Sequence, residues 1–578
     1  MRVRSNEILA LVLTLLIPMG SGALAAGKDR DDERSYMEDW EHEGDLLGNI
    51  VRTDAGYVSG TVMDTLLVTN GNPDGPVSSV LVGASRRPVR VFRGIPYAAP
   101  PVGELRFKPP QPVTPWSGIR EASAFSKWPP QVFPTLPRLG FLMDDAMSED
   151  CLYLNVITPA RRRHERLPVL VWFHGGGLTT QSGTRAGYNM PAQAQEGVVA
   201  VSVSGRLDVM GFLAHPALSE ESPMHASGNY GMLDLVAALQ WVKTNIAAFG
   251  GDPDQIGIWG QSGGGQKINW LMTSPLSEGL FNAAISQSGS GGGTDLATAE
   301  QRGVALQTQL GISGTPDEVR AALRALPWQD IQNAAAAIQF STSPTIDGWS
   351  QLDRIENVFA AGRQHNVPFI IGIANTEWTA TNFTVQLMST LTSSGSPTYV
   401  FVHTHVPDGW RPALAWHSLE NGYVFHAAVA VAPNNFNDYA IAAGAPYTIA
   451  PGVALTDAGW TRGRELRYAP AGPEEDARGV TVTDAAWSWL DAWHEDFMAK
   501  TWIHFAATGN PNLPRGTLSG PHLPRWEPYD HVVDTFMALD VTPVVEPGFT
   551  MPTPTRQMRI PIPTYHHPFR GYSGPPPY

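Results

Sequence analysis

Short apolar runs alternate with helix-spaced ones along the middle of the chain. Pro168–Phe173 (PVLVWF), Val198–Val203 (VVAVSV), Ile256–Trp259 (IGIW) and Val367–Ile373 (VPFIIGI) are largely apolar and rich in β-branched residues. Strands that are apolar on both faces suit a parallel sheet covered by helices. Leu235, Val236, Leu239, Val242 and Ile246 recur at helical spacing and stop before Gly250-Gly251-Asp252-Pro253, which predicts a helix ending there. The alternation predicts an α/β fold, a mostly parallel central sheet with helices on both faces. Its functional loops are expected at the carboxyl ends of strands. No internal repeat interrupts it.

The ends read differently. Arg2 and Arg4 precede an apolar stretch from Ile8 to Met19, and Ala23-Leu24-Ala25 supplies a small-x-small pattern, so residues 1–25 read as a signal peptide cleaved after Ala25. The run is too short to span roughly 30 Å of hydrocarbon. Residues 26–50 form an acidic leader, with nine acids and three bases between Lys28 and Asp45. Residues 51–550 are expected to be one catalytic-sized domain, and residues 551–578 a proline-rich tail laid out in extended form. The expected location is therefore secreted or periplasmic.

Composition narrows the function. Of 578 residues, 43% are hydrophobic and 16% charged, which suits a large core and excludes disorder. Lys and Arg total 39 against 54 Asp and Glu, a net charge of -15. That field disfavours nucleic acid and stable insertion at anionic membranes. The single cysteine, Cys151, excludes an internal disulfide, a thiolate zinc cluster and a CxxC redox pair.

The strand at Ile256–Trp259 runs into Gly260-Gln261-Ser262-Gly263-Gly264. A serine on a sharp strand-to-helix turn exposes its hydroxyl, and flanking glycines relieve the crowding of such a turn. A glycine-rich structural turn would read the same way in isolation. The strand Pro168–Phe173 ends in His174-Gly175-Gly176-Gly177. Backbone N–H groups of Gly176 and Gly177, with that of Gly263, could bind the negative oxygen of a tetrahedral intermediate. A phosphate-binding loop would carry a lysine directly after the glycines, and Leu178-Thr179-Thr180 does not. His174 reads as a hydrogen-bonding residue rather than the base.

With these segments in place, the chain resembles the type-B carboxylesterase and cholinesterase family of the α/β-hydrolase fold. Phe92–Phe107 (FRGIPYAAPPVGELRF), Ser148–Asn155 (SEDCLYLN), Gly228–Asp234 (GNYGMLD), Phe249–Pro253 (FGGDP) and Leu280–Ser290 (LFNAAISQSGS) follow in the family's order. The stretch His215–Asp234 is similar to secreted bacterial members such as fumonisin esterases. The resemblance implies an acid after a PxxIG-type strand, which places Glu377 there, 115 residues after Ser262. Asp347 competes but resembles the family's structural DG turn. The family's H-x-x-E-x-x-Y-V-F segment matches His417–Phe425, which makes His417 the base, with His403, His405 and His426 as competitors. The implied activity is hydrolysis of a small carboxylic ester through an acyl-enzyme, with no metal or organic cofactor. A catalytically silent binding protein on this scaffold, or an acyltransferase using the same triad, are the alternatives.

The sequence departs from the family at several points. Gln261 stands where Glu is usual and Gly263 where Ala is common, Ser204–Asp208 replaces an N-Y-R-x-G loop, and Trp378 follows the acid. The resemblance implies a buried Arg93–Glu149 pair and a cap or irregular insertion at 432–482 near the active-site mouth. Trp270 and Trp378 are candidates either for an aromatic substrate pocket or for core packing.

Overall fold

The computed structural model describes residues 46–63, 88–131, 147–184, 188, 190–374, 377, 384, 387, 396–405, 417, 419–425, 447–449, 454–456, 467–469, 480–482, 489–518, 523–529, 535–540 and 543–547. The chain divides after Leu46, and the elements below belong to the unit Leu47–Tyr578. The expected signal peptide and proline-rich tail, and the leader up to residue 45, lie outside the described residues.

The apolar runs form an eleven-stranded sheet. Its strands are β1 (Thr61–Met63), β2 (Val89–Pro96), β3 (Tyr153–Thr158), β4 (Leu167–Phe173), β5 (Val199–Val203), β6 (Gly251–Gln261), β7 (Ala283–Gln287), β8 (Phe369–Ala374), β9 (Thr398–His403), β10 (Thr535–Leu539) and β11 (Val544–Pro547). They lie in the order β1-β2-β3-β5-β4-β6-β7-β8-β9-β10-β11. From β5 to β10 every pairing is parallel. The pairings among β1, β2, β3 and β5, and that of β10 with β11, are antiparallel. The helices that matter to the site are α1 (Tyr230–Asn245), α2 (Gly263–Thr273), α3 (Leu419–Val424) and α4 (Trp489–Thr508).

Period-2 alternation sorts each central strand between two cores. Val169, Val171 and Phe173 of β4, Ile256 and Ile258 of β6, and Phe369, Ile371 and Ile373 of β8 pack with Leu235, Leu239 and Val242 of α1 and Ile268 and Leu271 of α2. Leu170, Trp172, Trp259, Ile370 and Phe401 face the other way and meet Phe497, Met498, Trp502, Phe505 and Ala506 of α4. Helices therefore cover both faces, as the doubly apolar strands require. Gly257 permits close approach here: a Cβ at that position would meet Ala506 Cβ at 2.5 Å.

One expectation changes. Glu149 pairs not with Arg93 but with Arg106, whose Nε and Nη2 donate to its two oxygens at 2.7 and 2.5 Å. The Arg93 guanidinium instead lies 4.7 Å from the centre of the Phe125 ring. Of its two candidate roles Trp270 takes core packing: it is fully buried, with its indole N–H donating to Gln351 Oε1 at 3.1 Å. Trp378 lies outside the described residues. Within 432–482, strand 447–449 pairs with 480–482 and strand 454–456 with 467–469, both antiparallel; the rest of the expected cap is not described. Cys151 is a buried thiol with no disulfide, pushed well above its ordinary pKa by burial.

Candidate active site

Two neighbouring strands bring the serine and the glycine turn together. Phe173, the last residue of β4, is in register with Gly260 near the end of β6, so the loops leaving both strands emerge side by side. Ser262 occupies the junction of β6 and α2 with φ 59° and ψ −123°, a left-handed region that costs a non-glycine residue of order 1–3 kcal/mol. Its N–H donates to Gln287 O at 2.8 Å, and its carbonyl accepts from Gln266 N at 3.0 Å, which holds the turn in place. The two outer glycines are required sterically. A Cβ on Gly260 would fall on the Gly264 backbone, and one on Gly264 on the Phe173 carbonyl.

The glycine turn lies directly against the serine. A Cβ on Gly175 would stand 3.3 Å from Ser262 Cβ, and one on Gly263 would fall on the Gly177 carbonyl oxygen. Gly176 and Gly177 take φ of 86° and 64°, which side chains disfavour. The turn closes on itself, with Thr180 N donating to Gly176 O at 3.0 Å. Among the described residues, the N–H groups of Gly176, Gly177 and Gly263 have no acceptor.

Acid and imidazole also meet. His417 Nδ1 lies 2.6 Å from Glu377 Oε1. A carboxylate only accepts, so Nδ1 carries the proton and Nε2 presents its lone pair. Glu377 Oε2 accepts from Ser288 Oγ at 2.5 Å and from Ala374 N at 3.0 Å. Burial pushes the Glu377 carboxyl up, but the His417 charge and these hydrogen bonds outweigh it and hold it below the usual carboxylate range. Toward the nucleophile, His417 Nε2 faces the Gln261 side-chain nitrogen at 3.3 Å. Gln261 Oε1 in turn accepts from Asn421 Nδ2 at 3.3 Å. The half-exposed Ser262 hydroxyl makes no hydrogen bond among the described residues.

The competitors occupy other places. Asp347 accepts from the N–H groups of Trp349, Ser350 and Gln351 at 2.7–2.9 Å and from Asn229 Nδ2 at 3.0 Å, so it shapes a turn. His403 pairs with His494, and His405 with Asp540; His426 lies outside the described residues. His174 is buried, its Nδ1 2.9 Å from Gly175 O. Burial first, then the Lys267 charge, push its pKa well down, which suits a neutral hydrogen-bonding role. Sequence reasoning missed Ser288, although its position one residue past β7 is where such folds collect functional groups. No group of three or more His, Cys, Asp or Glu that could hold a metal occurs among the described residues.

Residues 66–389 match the Carboxylesterase family. The chain is 40% identical over 292 residues to fumonisin B1 esterase of Sphingopyxis macrogoltabida, covering 49% of this chain and 52% of that protein. It is 44% identical over 215 residues to carboxylesterase 1E of Mus musculus, covering 35% and 36%. The chain thus spans about half, or less, of the length of these curated relatives. The solved carboxylesterase of Geobacillus stearothermophilus superposes with a TM-score of 0.61 at 25% identity, covering 86% of this chain and 98% of that one. Together with the mostly parallel sheet, this is the α/β-hydrolase fold. The chain belongs to the carboxylesterase family.

Proposed function

We propose that the protein hydrolyses small carboxylic esters through an acyl-enzyme on Ser262. The observation that carries this reading is that a strained serine after β6, a glycine turn after the neighbouring β4 whose N–H groups have no acceptor among the described residues, and a Glu377–His417 pair at 2.6 Å that reaches the serine turn at Gln261 lie together. Ser262 Oγ attacks the ester carbonyl carbon while His417 Nε2 takes the hydroxyl proton. The Gln261 amide must first yield that lone pair, and its 3.3 Å contact is long for a hydrogen bond. The carbonyl oxygen becomes negative against the N–H groups of Gly176, Gly177 and Gly263. The C–O bond to the alcohol then breaks, and Nε2–H protonates the departing oxygen. Water repeats the sequence: it gives a proton to Nε2 and attacks the acyl carbon, the carbon–Oγ bond breaks, and the proton returns to Oγ. Glu377 holds the tautomer and stabilises the imidazolium throughout.

The family match and the neighbouring carboxylesterase structure support this assignment. No helix among the described residues is long and apolar enough to cross a membrane, and the Ala23-Leu24-Ala25 pattern supports export with cleavage after Ala25. N-terminal sequencing of protein from the culture medium tests that cleavage. For the chemistry, purified protein is assayed on p-nitrophenyl butyrate and labelled with a fluorophosphonate probe. Wild type is expected to turn over and label. Ser262→Ala is expected to do neither, with a roughly million-fold loss in kcat. Wild-type turnover by Ser262→Ala sinks the assignment.

A further inference from the structure

The mechanism above leaves one buried amine without a task. Lys267 stands five residues after Ser262, on the helix that Ser262 caps, and is only 4% exposed. Its Nζ lies 3.0 Å from His174 O and 3.4 Å from His174 Nε2. Among the described residues no carboxylate pairs with it. An isolated buried ammonium is costly to keep, and burial lowers Lys267 to about 7. A neutral amine carries two N–H groups, and two acceptors face it here; an ammonium would have a third with nowhere to go.

The contacts form a continuous chain. His174 Nδ1–H donates to Gly175 O at 2.9 Å, which leaves Nε2 as the acceptor for Lys267. Gly175 in turn lies against Ser262 and the Gln261 carbonyl. We propose that Lys267 is a positioning residue: reaching from the nucleophile's own helix, it pins His174 by carbonyl and ring, and through His174 holds the turn Gly175–Gly177 at the distance from Ser262 that the oxyanion needs. This rests on the esterase reading. Nucleophile and oxyanion donors then share one rigid attachment, α2, so they keep their spacing when the strands shift. A turn of glycines has little stiffness of its own, and a misplacement of about 1 Å in such a site costs roughly 100-fold in rate.

The experiment compares wild type, Lys267→Met, Lys267→Gln and Ser262→Ala. Each is measured on p-nitrophenyl butyrate and for inhibition by an aliphatic trifluoromethyl ketone, which adds to a serine and places an oxyanion in the hole. Lys267→Met keeps the length and loses the donor. Its kcat is expected to fall roughly 10- to 100-fold with KM within about twofold, and ketone affinity to fall in parallel. Gln, one methylene shorter but still a donor, is expected to recover part of the loss. A wild-type kcat for Lys267→Met overturns the proposal. So does an equal loss in both variants with unchanged ketone affinity, which would mark packing alone. If Lys267→Met does not fold, Lys267→Gln decides: a several-fold drop in kcat and ketone affinity supports the proposal, and wild-type values overturn it. An inert wild type, or an active Ser262→Ala, overturns the esterase reading and the proposal with it.

Discussion

Glu377 is a half-buried carboxylate kept ionised by three donors, and single-atom changes around it have separable effects. Glu377→Gln keeps the shape but offers an amide nitrogen where only an acceptor fits, so His417 is left in the wrong tautomer. A roughly 10⁴-fold fall in kcat is expected in steady-state assays, with little change in KM. Ser288→Ala removes one donor to Oε2; the Glu377 carboxyl then rises toward its ordinary value, so it is protonated at higher pH. The acid limb of the kcat profile should therefore move up in pH, while the rate at pH 8 changes little. A profile superimposable on wild type would separate Ser288 from the Glu377–His417 pair. Gly263→Ala is the third case. Alanine is common there in the family, yet here its methyl would fall on the Gly177 carbonyl, forcing the turn outward. A loss of roughly 10- to 100-fold in kcat is expected, and an unchanged kcat would mean that the turn relaxes freely.

At the scale of elements, α3 carries the most consequential buried group. Glu420 is fully buried three residues from His417, and among the described residues neither its two oxygens nor Gln287 Nε2 has a hydrogen-bond partner. Gln287 is oriented by the indoles of Trp259 and Trp502, which both donate to its Oε1. Burial and then the Glu377 charge push the Glu420 carboxyl up to about 7. A raised carboxyl favours the protonated fold: its contribution is full below the unfolded value near 4.5 and is lost as pH rises toward 7. Glu420→Gln removes that titration. Scanning calorimetry should show the variant melting higher than wild type at pH 8, with the advantage gone by pH 4. No gap at either pH would mean that solvent reaches this carboxylate. The loop Ser204–Asp208 is set by a different buried pair, Arg206 with Asp234 at 2.6 Å; Asp234→Asn should cost about 3–5 kcal/mol in stability, read by urea unfolding. These elements also show what the sequence made legible. The doubly apolar strands, the serine turn and the meeting of Glu377 with His417 follow from local pattern and family order. The Arg106–Glu149 partnership, the Gln261–His417 contact and the Lys267 clamp do not, because each joins residues from segments whose spacing in sequence says nothing of their register in space. Gly263 shows the same limit, since only the approach of the Gly177 carbonyl reveals that a methyl there is excluded.

For the whole molecule, acid stability turns on a knot of histidines where β9, α4 and the end of β10 meet. His403 and His494 are fully buried, their Nε2 atoms 3.2 Å apart, and His494 Nδ1 lies 3.1 Å from Asp540 O. A carbonyl only accepts, so His494 carries its proton on Nδ1 and accepts on Nε2 from His403 Nε2–H. Among the described residues that leaves the His403 Nδ1 lone pair buried without a partner, so a second proton there would find no acceptor among them. Burial, then the neighbouring His405 charge, lower His403 to about 3, and the same causes hold His494 well below its ordinary range. The folded protein therefore refuses protons that the unfolded chain takes up near 6.5. Stability is full above that pH and falls as pH drops below it, down to about 3 for His403. Each such histidine contributes a slope of about 1.4 kcal/mol per pH unit. Glu420 opposes this between 7 and 4.5, so the two histidines outweigh it by about one proton between 6.5 and 4.5. Urea unfolding at pH 7.5, 6.5, 5.5 and 4.5 should show a fall below 6.5, flattened by about one proton in His403→Gln, whose amide titrates no proton. A slope identical to wild type in that variant would mean that His403 accepts its proton without leaving the fold.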